Sequence, residues 1–223
     1  MRAEAAITRF PAGRTTAGRA AAGFAALVVF CLGAFGLRDP LASMVSYTTA
    51  LMALNQIAPP LLLLALPSPA GAPSPWATLL DSWVGTIVFV GLSVAVSLPG
   101  VFDPSVANAL YAAPLGLFEL IAGLLFWAQF MPATRVIRRS WVAGLLAWAG
   151  GVPMTVVALI WMLSPDLLYT PYLDVICRWD ISPLADQRWA GLVMFVAGAP
   201  LQMVGVWFLL GLGPSGEHVG VRV

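Results

Sequence analysis

Long apolar runs, separated by short polar connections, dominate the pattern of hydrophobic and polar positions along the chain. A helix needs about 20 apolar residues to cross a bilayer. Runs that approach or reach this length lie at 20–37, 44–66, 83–98, 107–130, 141–163 and 189–210. The pattern predicts an all-α fold, a polytopic transmembrane helix bundle of about six spans over residues 20–210. The segment 1–19 precedes this bundle and a tail, 211–223, follows it.

Composition supports a membrane class. Of 223 residues, 60% are apolar and 9% are charged, whereas soluble domains carry about 25% charged residues. The formal net charge of +1 argues against a nucleic-acid partner.

The distribution of arginines predicts the orientation, because cytoplasmic loops carry an excess of basic residues. With the N-terminus inside, the cytoplasmic side carries Arg2, Arg9, Arg14, Arg19, Arg135, Arg138, Arg139 and Arg222. The outer side then carries Arg38, Arg178 and Arg188. We therefore expect both the N-terminal segment and the C-terminal tail to be cytoplasmic.

The second apolar run is interrupted at its centre by Asn55-Gln56 and then by Pro59-Pro60. A proline cannot donate to the carbonyl four residues earlier, so these prolines predict a helix break that frees the carbonyls of Asn55 and Gln56. Within hydrocarbon, such groups persist where neighbouring helices or a water-filled cavity satisfy them. The second span should therefore be buried inside the bundle.

An intramembrane polar cluster is predicted at mid-depth, formed by Asn55, Gln56, Glu119 and Gln202. A carboxyl at this depth usually faces the bundle interior, where it pairs or stays protonated. A protonated Glu119 could donate to a carbonyl freed by the prolines, or to the side chain of Asn55 or Gln56. A bond to another backbone group, contact with a partner subunit, proton transfer and metal ligation remain alternatives.

Glycines and one long connection complete the pattern. Gly191, Gly198 and Gly205 recur every seven residues, as do Gly116 and Gly123, which predicts close helix packing.

The connection 164–188 lies on the predicted outer side and carries aromatic and acidic residues, among them Tyr169, Tyr172 and Trp179. It is a candidate surface for an external partner, and an interfacial cap with aromatics at headgroup level is the alternative.

Three stretches, residues 55–64, 123–127 and 181–192, resemble those of a known family. In that order they look like the CtaG-like polytopic cytochrome c oxidase assembly factors of bacteria. The most specific stretch contains the family motif Leu184-Ala185-Asp186-Gln187, which we expect in the outer loop. The resemblance covers about residues 44–210.

The resemblance implies a protein of the bacterial cytoplasmic (inner) membrane that assists maturation of a haem-copper oxidase, including its copper centre. Its partners would be oxidase subunits and the lipid bilayer, and it would act as a chaperone rather than an enzyme. The chain shows no nucleophile–base pair that would favour catalysis. Two alternatives remain open: a permanent accessory subunit of a respiratory oxidase, and a small proton-coupled transporter.

The chain departs from the family in its metal-binding potential. Family members usually carry histidines in the span before the Ala-Pro-Pro motif, before the Leu-Pro motif and in the following span. This chain has Tyr47 and Leu51 near the first of these positions and Ser97 before Leu98, and its one histidine, His218, lies in the tail. This marks it as a diverged member. Sulfur ligands suit cuprous ion, and the spans contain Met44, Met52, Met154, Met162, Met194, Met203 and Cys31. Without a Cys or His cluster, no metal site and no cofactor is predicted, although copper is the cofactor that the resemblance implies.

Overall fold

The computed structural model describes residues 15–67, 81–131, 137, 140–173 and 179–210, and these ranges are helical, without a strand. Five helices are long and apolar enough to cross a membrane, and a bent helix pair makes a sixth if it counts as one span. The predicted all-α polytopic bundle of about six spans is confirmed. Residues 1–14, the arginines at 135, 138 and 139, and the tail 211–223 lie outside the described residues, and the orientation stays a prediction.

Eight α-helices form the described part of the chain. They are α1 (Thr16–Gly36), α2 (Met44–Met52), α3 (Ala58–Ala65), α4 (Ser82–Ala95), α5 (Pro99–Ala107), α6 (Ala109–Trp127), α7 (Ser140–Leu163) and α8 (Pro183–Leu209). Short polar side chains set several helix starts. Thr15, Ser43, Asp81, Asn108 and Ser182 each accept a hydrogen bond from a backbone N–H two or three residues later, as N-cap residues do.

The predicted third span, 83–98, is shorter than expected. Helix α4 has 14 residues, which corresponds to about 21 Å of helix, against a hydrocarbon thickness of about 30 Å. The chain then bends by 71° into α5. The bend arises because Leu98, which precedes Pro99, is extended (φ −78°, ψ 137°), as residues before proline tend to be.

One end of the bundle is covered by short elements, and we call it the closed end. Helices α1, α4 and α7 finish there, and α2, α6 and α8 begin there. Helix α5 contacts two single-turn 3-10 helices, Pro40–Ala42 and Thr170–Tyr172, across this end. In the predicted orientation the closed end faces the outside.

Glycines bring α7 and α8 into close contact, as their seven-residue spacing predicted. A Cβ atom at Gly205 would lie 2.8 Å from the backbone nitrogen of Trp148, and one at Gly191 would lie 2.8 Å from the carbonyl oxygen of Ala158. Gly198 faces Met154 and Gly151 in the same interface. Small residues at these positions let the two backbones approach, as in other membrane helix pairs.

Large apolar side chains cover the outer surface of the bundle. On α1, Phe24 is 70% exposed and Leu32 and Phe35 are 66% exposed. In a water-soluble protein an apolar surface of this extent would be costly, whereas lipid accommodates it. The exposed apolar helices therefore support a multi-pass membrane protein.

Candidate functional site

A widened helical turn in the second span carries two of the predicted polar side chains. Residues Ala53–Ile57 form a π-helical turn between α2 and α3, in which the Ala58 N–H donates to the carbonyl of Ala53. Such single-turn insertions are often found at functional sites. Asn55 and Gln56 lie in this turn, and both are buried.

The α-helix is interrupted just before Pro59 and Pro60, by the π turn, but the interruption does not divide the span in two. The two prolines lie in the first turn of α3, where a missing N–H is tolerated, and Met44–Ala65 continues as one 22-residue span. The extra residue of the π turn absorbs the change in hydrogen bonding. The carbonyl of Asn55 still lacks its proline partner, and it lies against Gly123 of α6, where a side chain would collide with it.

Asn55, Gln56 and Glu119 form a buried hydrogen-bonded chain. The Nδ2 atom of Asn55 donates to Oε2 of Glu119 and, at 3.4 Å, to the Glu119 carbonyl. Nε2 of Gln56 donates to Oδ1 of Asn55 at 2.8 Å and to the sulfur of Met154 at 3.2 Å. The contact of Glu119 with Asn55 was predicted, but the amide donates and the carboxyl accepts, the reverse of the expected direction. This hydrogen-bonded chain links α6, the π turn and α7.

Within this hydrogen-bonded chain, Oε1 of Glu119 and Oε1 of Gln56 are buried and have no hydrogen-bond partner among the described residues. A buried polar atom without a partner is unfavourable by about 1–3 kcal/mol. These atoms therefore mark the chain as a site where a donor or a cation would be stabilised.

Gln202 does not belong to the polar chain. Its Nε2 atom donates to Oγ1 of Thr155 at 2.6 Å, within the interface of α7 and α8. Depth along a span placed Gln202 near the other polar residues, but depth does not show which way a helix is turned. Of the four residues predicted to form the cluster, Asn55, Gln56 and Glu119 come together and Gln202 does not.

The family motif Leu184–Gln187 lies in the first turn of α8 rather than in an outer loop. Ser182 caps the helix by accepting from the Ala185 N–H at 3.3 Å, and Pro183 occupies the first helical turn, a favoured position for proline. Helix α8 therefore begins earlier than the predicted span at residue 189.

Asp186 holds the start of α2. Its carboxylate accepts from the Met44 N–H at 2.6 Å, the Ser43 hydroxyl at 2.8 Å and the Val45 N–H at 3.2 Å, and its side chain is 2% exposed. A carboxylate at a helix N-terminus interacts favourably with the unpaired N–H groups there. The contact connects two helices that are more than 140 residues apart in sequence.

Gln187 ties α8 to the end of α7. Its Oε1 atom accepts from the Leu168 N–H at 2.8 Å, and its Nε2 atom donates to the carbonyls of Trp161 at 3.3 Å and Asp166 at 3.5 Å. Because Gln187 is fully buried, its amide needs protein partners, and these backbone groups supply them. The polar half of the motif thus joins helices at the closed end.

The aromatic residues of the long connection are only partly available to a partner. The hydroxyl of Tyr169 donates to the Ser97 carbonyl and that of Tyr172 to the Pro40 carbonyl, each at 2.7 Å, and both side chains are buried. Burial raises the pKa of Tyr169, so it stays protonated as a donor. Trp179 is exposed. Tyr169 and Tyr172 are therefore not available as a surface for an external partner, since they bond to the α4–α5 and α1–α2 connections.

A small cavity of about 10 Å³ lies between α2, α4, α7 and α8, beneath Phe102 and Trp161. Leu51 and Ser97, which lie near places where the family resemblance implies histidine, line it, whereas Tyr47 bonds to Ser105 at 2.8 Å. None of these residues offers an imidazole, and the described residues contain no group of three or more His, Cys, Asp or Glu that could hold a metal. A histidine-based site is therefore not formed here.

The structure separates the sulfur residues into two groups. Met52, Met154 and Met194 line the small cavity. The others lie elsewhere: Met44 is buried outside it, Met162 lines an open groove beside Leu184 and Trp189, and Met203 and Cys31 are exposed.

Sequence reasoning missed Thr48 and Ser93, whose buried hydroxyls have no hydrogen-bond partner in the described parts of the chain and which line the same cavity. A signal was available, because Thr48 and Met52 are four residues apart and so share one helix face.

Comparison with known proteins gives one match. The model of a family described as cytochrome c oxidase caa3 assembly factor (Caa3_CtaG) matches residues 1–212. Neither the curated proteins nor the solved structures contain a match.

Proposed function

Because the chain belongs to the cytochrome c oxidase caa3 assembly factor family, we propose that it assists maturation of a haem-copper oxidase as a non-enzymatic chaperone. The observation that carries the proposal is the extent of the match, which covers the whole described bundle. An integral membrane assembly factor agrees with the five to six candidate spans.

The finer parts of the proposal concern place and partner. We place the protein in the bacterial cytoplasmic membrane, in contact with subunits of the oxidase, and assign its action to the copper centre. Exposed apolar helices such as α1 support contact with a client inside the bilayer, since they offer surface to lipid and to other helices alike.

Deletion of the gene tests the proposal. We expect membranes of the deletion strain to contain less active caa3-type oxidase, measured as cytochrome c oxidation and as the haem a3 signal in carbon monoxide difference spectra. Succinate dehydrogenase activity in the same membranes is the control for general membrane damage. A plasmid copy should restore the oxidase.

Two results would count against the proposal. Normal oxidase activity and normal copper content in the deletion strain would exclude a role in maturation. Retention of the chain at one copy per oxidase through purification in mild detergent would make it a resident subunit rather than a chaperone.

A further inference from the structure

Three methionines from three different helices meet at the small cavity. Met52 ends α2, Met154 lies in α7 and Met194 lies in α8, and all three are buried. Methionine often fills irregular gaps in apolar cores. Gap filling predicts an apolar wall, however, and this wall also carries polar atoms.

The polar atoms in the wall are the hydroxyls of Thr48 and Ser93. Each is buried, and neither has a hydrogen-bond partner within the described ranges. Leaving a buried hydroxyl unpaired is unfavourable by about 1–3 kcal/mol. Two such groups facing one cavity indicate a bound particle, and the cavity volume of about 10 Å³ admits a single water-sized one.

The position of one sulfur is fixed by the buried polar chain. Gln56 Nε2 donates to the Met154 sulfur at 3.2 Å, and Gln56 in turn bonds to Asn55, which bonds to Glu119. A thioether sulfur has two lone pairs, so this bond leaves one lone pair for a ligand. Glu119, a carboxyl in the middle of α6, lies at the other end of the same hydrogen-bonded chain.

We propose that the cavity binds one cuprous ion through the sulfur atoms of Met52, Met154 and Met194, with the hydroxyls of Thr48 and Ser93 facing the ion. Thioethers are soft ligands that select Cu(I), whereas divalent zinc and cupric ion prefer imidazole, thiolate or harder donors. A single positive charge also limits the cost of burial, and the Glu119 carboxyl can balance it. The inference rests on the proposed function, because it names the cargo that copper-centre maturation would require.

Binding of Cu(I) by the purified full-length chain tests the site. The chain is purified without oxygen in mild detergent, in a C31S/C177S background so that thiols do not contribute. It is then titrated with Cu(I) against a chromophoric Cu(I) chelator. We expect one tightly bound Cu(I) per chain, and X-ray absorption at the copper edge should show sulfur neighbours.

Two matched triple variants locate the ion. M52L/M154L/M194L replaces the cavity sulfurs with side chains of similar volume, a change that cores usually tolerate. M44L/M162L/M203L replaces as many methionines outside the cavity. We expect the first variant to lose the stoichiometric copper and the second to keep it, with equal helix content by circular dichroism.

Several outcomes would overturn the site. They are absence of bound Cu(I) in the parent chain, equal copper loss in both triple variants, and an absorption spectrum with nitrogen or oxygen neighbours and no sulfur. If the cavity variant does not fold, the absorption spectrum of the parent chain decides. A water molecule as the only occupant corresponds to the first outcome.

Failure of the site and failure of the proposed function are distinguishable. A chain that binds Cu(I) as expected, in a strain whose oxidase matures normally after deletion, would keep the site and remove the function. An oxidase defect after deletion, with no Cu(I) bound by the purified chain, would keep the function and remove the site.

Discussion

Replacement of Asp186 by alanine should destabilise the bundle strongly. The change leaves three donors without this acceptor, the buried Ser43 hydroxyl and Met44 N–H and the partly buried Val45 N–H, from which the carboxylate accepts hydrogen bonds at 2.6–3.2 Å. A hydrogen bond to a charged group contributes about 1.5–3 kcal/mol, and such contributions are not additive. We expect the free energy of unfolding to fall by about 3–5 kcal/mol. Asp186→Asn, which keeps one acceptor oxygen, should lose about half of that.

The measurement is unfolding of the purified chain by sodium dodecyl sulfate in mixed micelles, followed by circular dichroism. Asp166→Ala is the control, because this side chain is exposed at the same end of the bundle. The reasoning fails if the free energy of unfolding of Asp186→Ala lies within about 0.5 kcal/mol of that of the parent. A stable Asp186→Ala variant without oxidase maturation would mean that this carboxylate acts on the client instead.

Two further predictions concern the mid-depth contacts. Gly123→Ala should lower stability by about 1–3 kcal/mol through overpacking against the Asn55 carbonyl. Gly91→Ala, where a Cβ meets open space, should be neutral or slightly stabilising, and equal effects in the detergent unfolding assay would contradict the packing argument. Glu119→Gln should keep an acceptor for Asn55 and unfold close to the parent, whereas Glu119→Ala should lose about 1–3 kcal/mol. A lower melting temperature for Glu119→Gln than for Glu119→Ala would refute this.

Apolar length made most of the spans predictable. The third span misled because Leu98 and Pro99 bend the chain inside an apolar run, and hydropathy does not register a bend. Residues 183–188 were predicted as a loop, but they form the start of α8. Their polarity suggested a loop, whereas Asp186 and Gln187 are buried because they satisfy backbone groups of distant segments.

The candidate site was predictable only in part. Matched depth found the contact of Asn55 with Glu119, because two polar groups in hydrocarbon must find partners. Depth could not exclude Gln202, since the rotation of α8 about its axis is set by its packing on α7. Likewise, no spacing along the chain could bring Met52, Met154 and Met194 together, because their convergence depends on how three helices pack.

The contact of Asp186 with residues 43–45 also has a consequence for biogenesis. A ribosome delivers α2 to the membrane long before α8, the last helix described, and domains generally form from the N-terminus onward during synthesis. Until α8 inserts, the first turn of α2 lacks the Asp186 carboxylate that receives its N–H groups. A chain truncated before α8 therefore presents open donors at the closed end, a state that membrane quality-control proteases could distinguish from the finished protein.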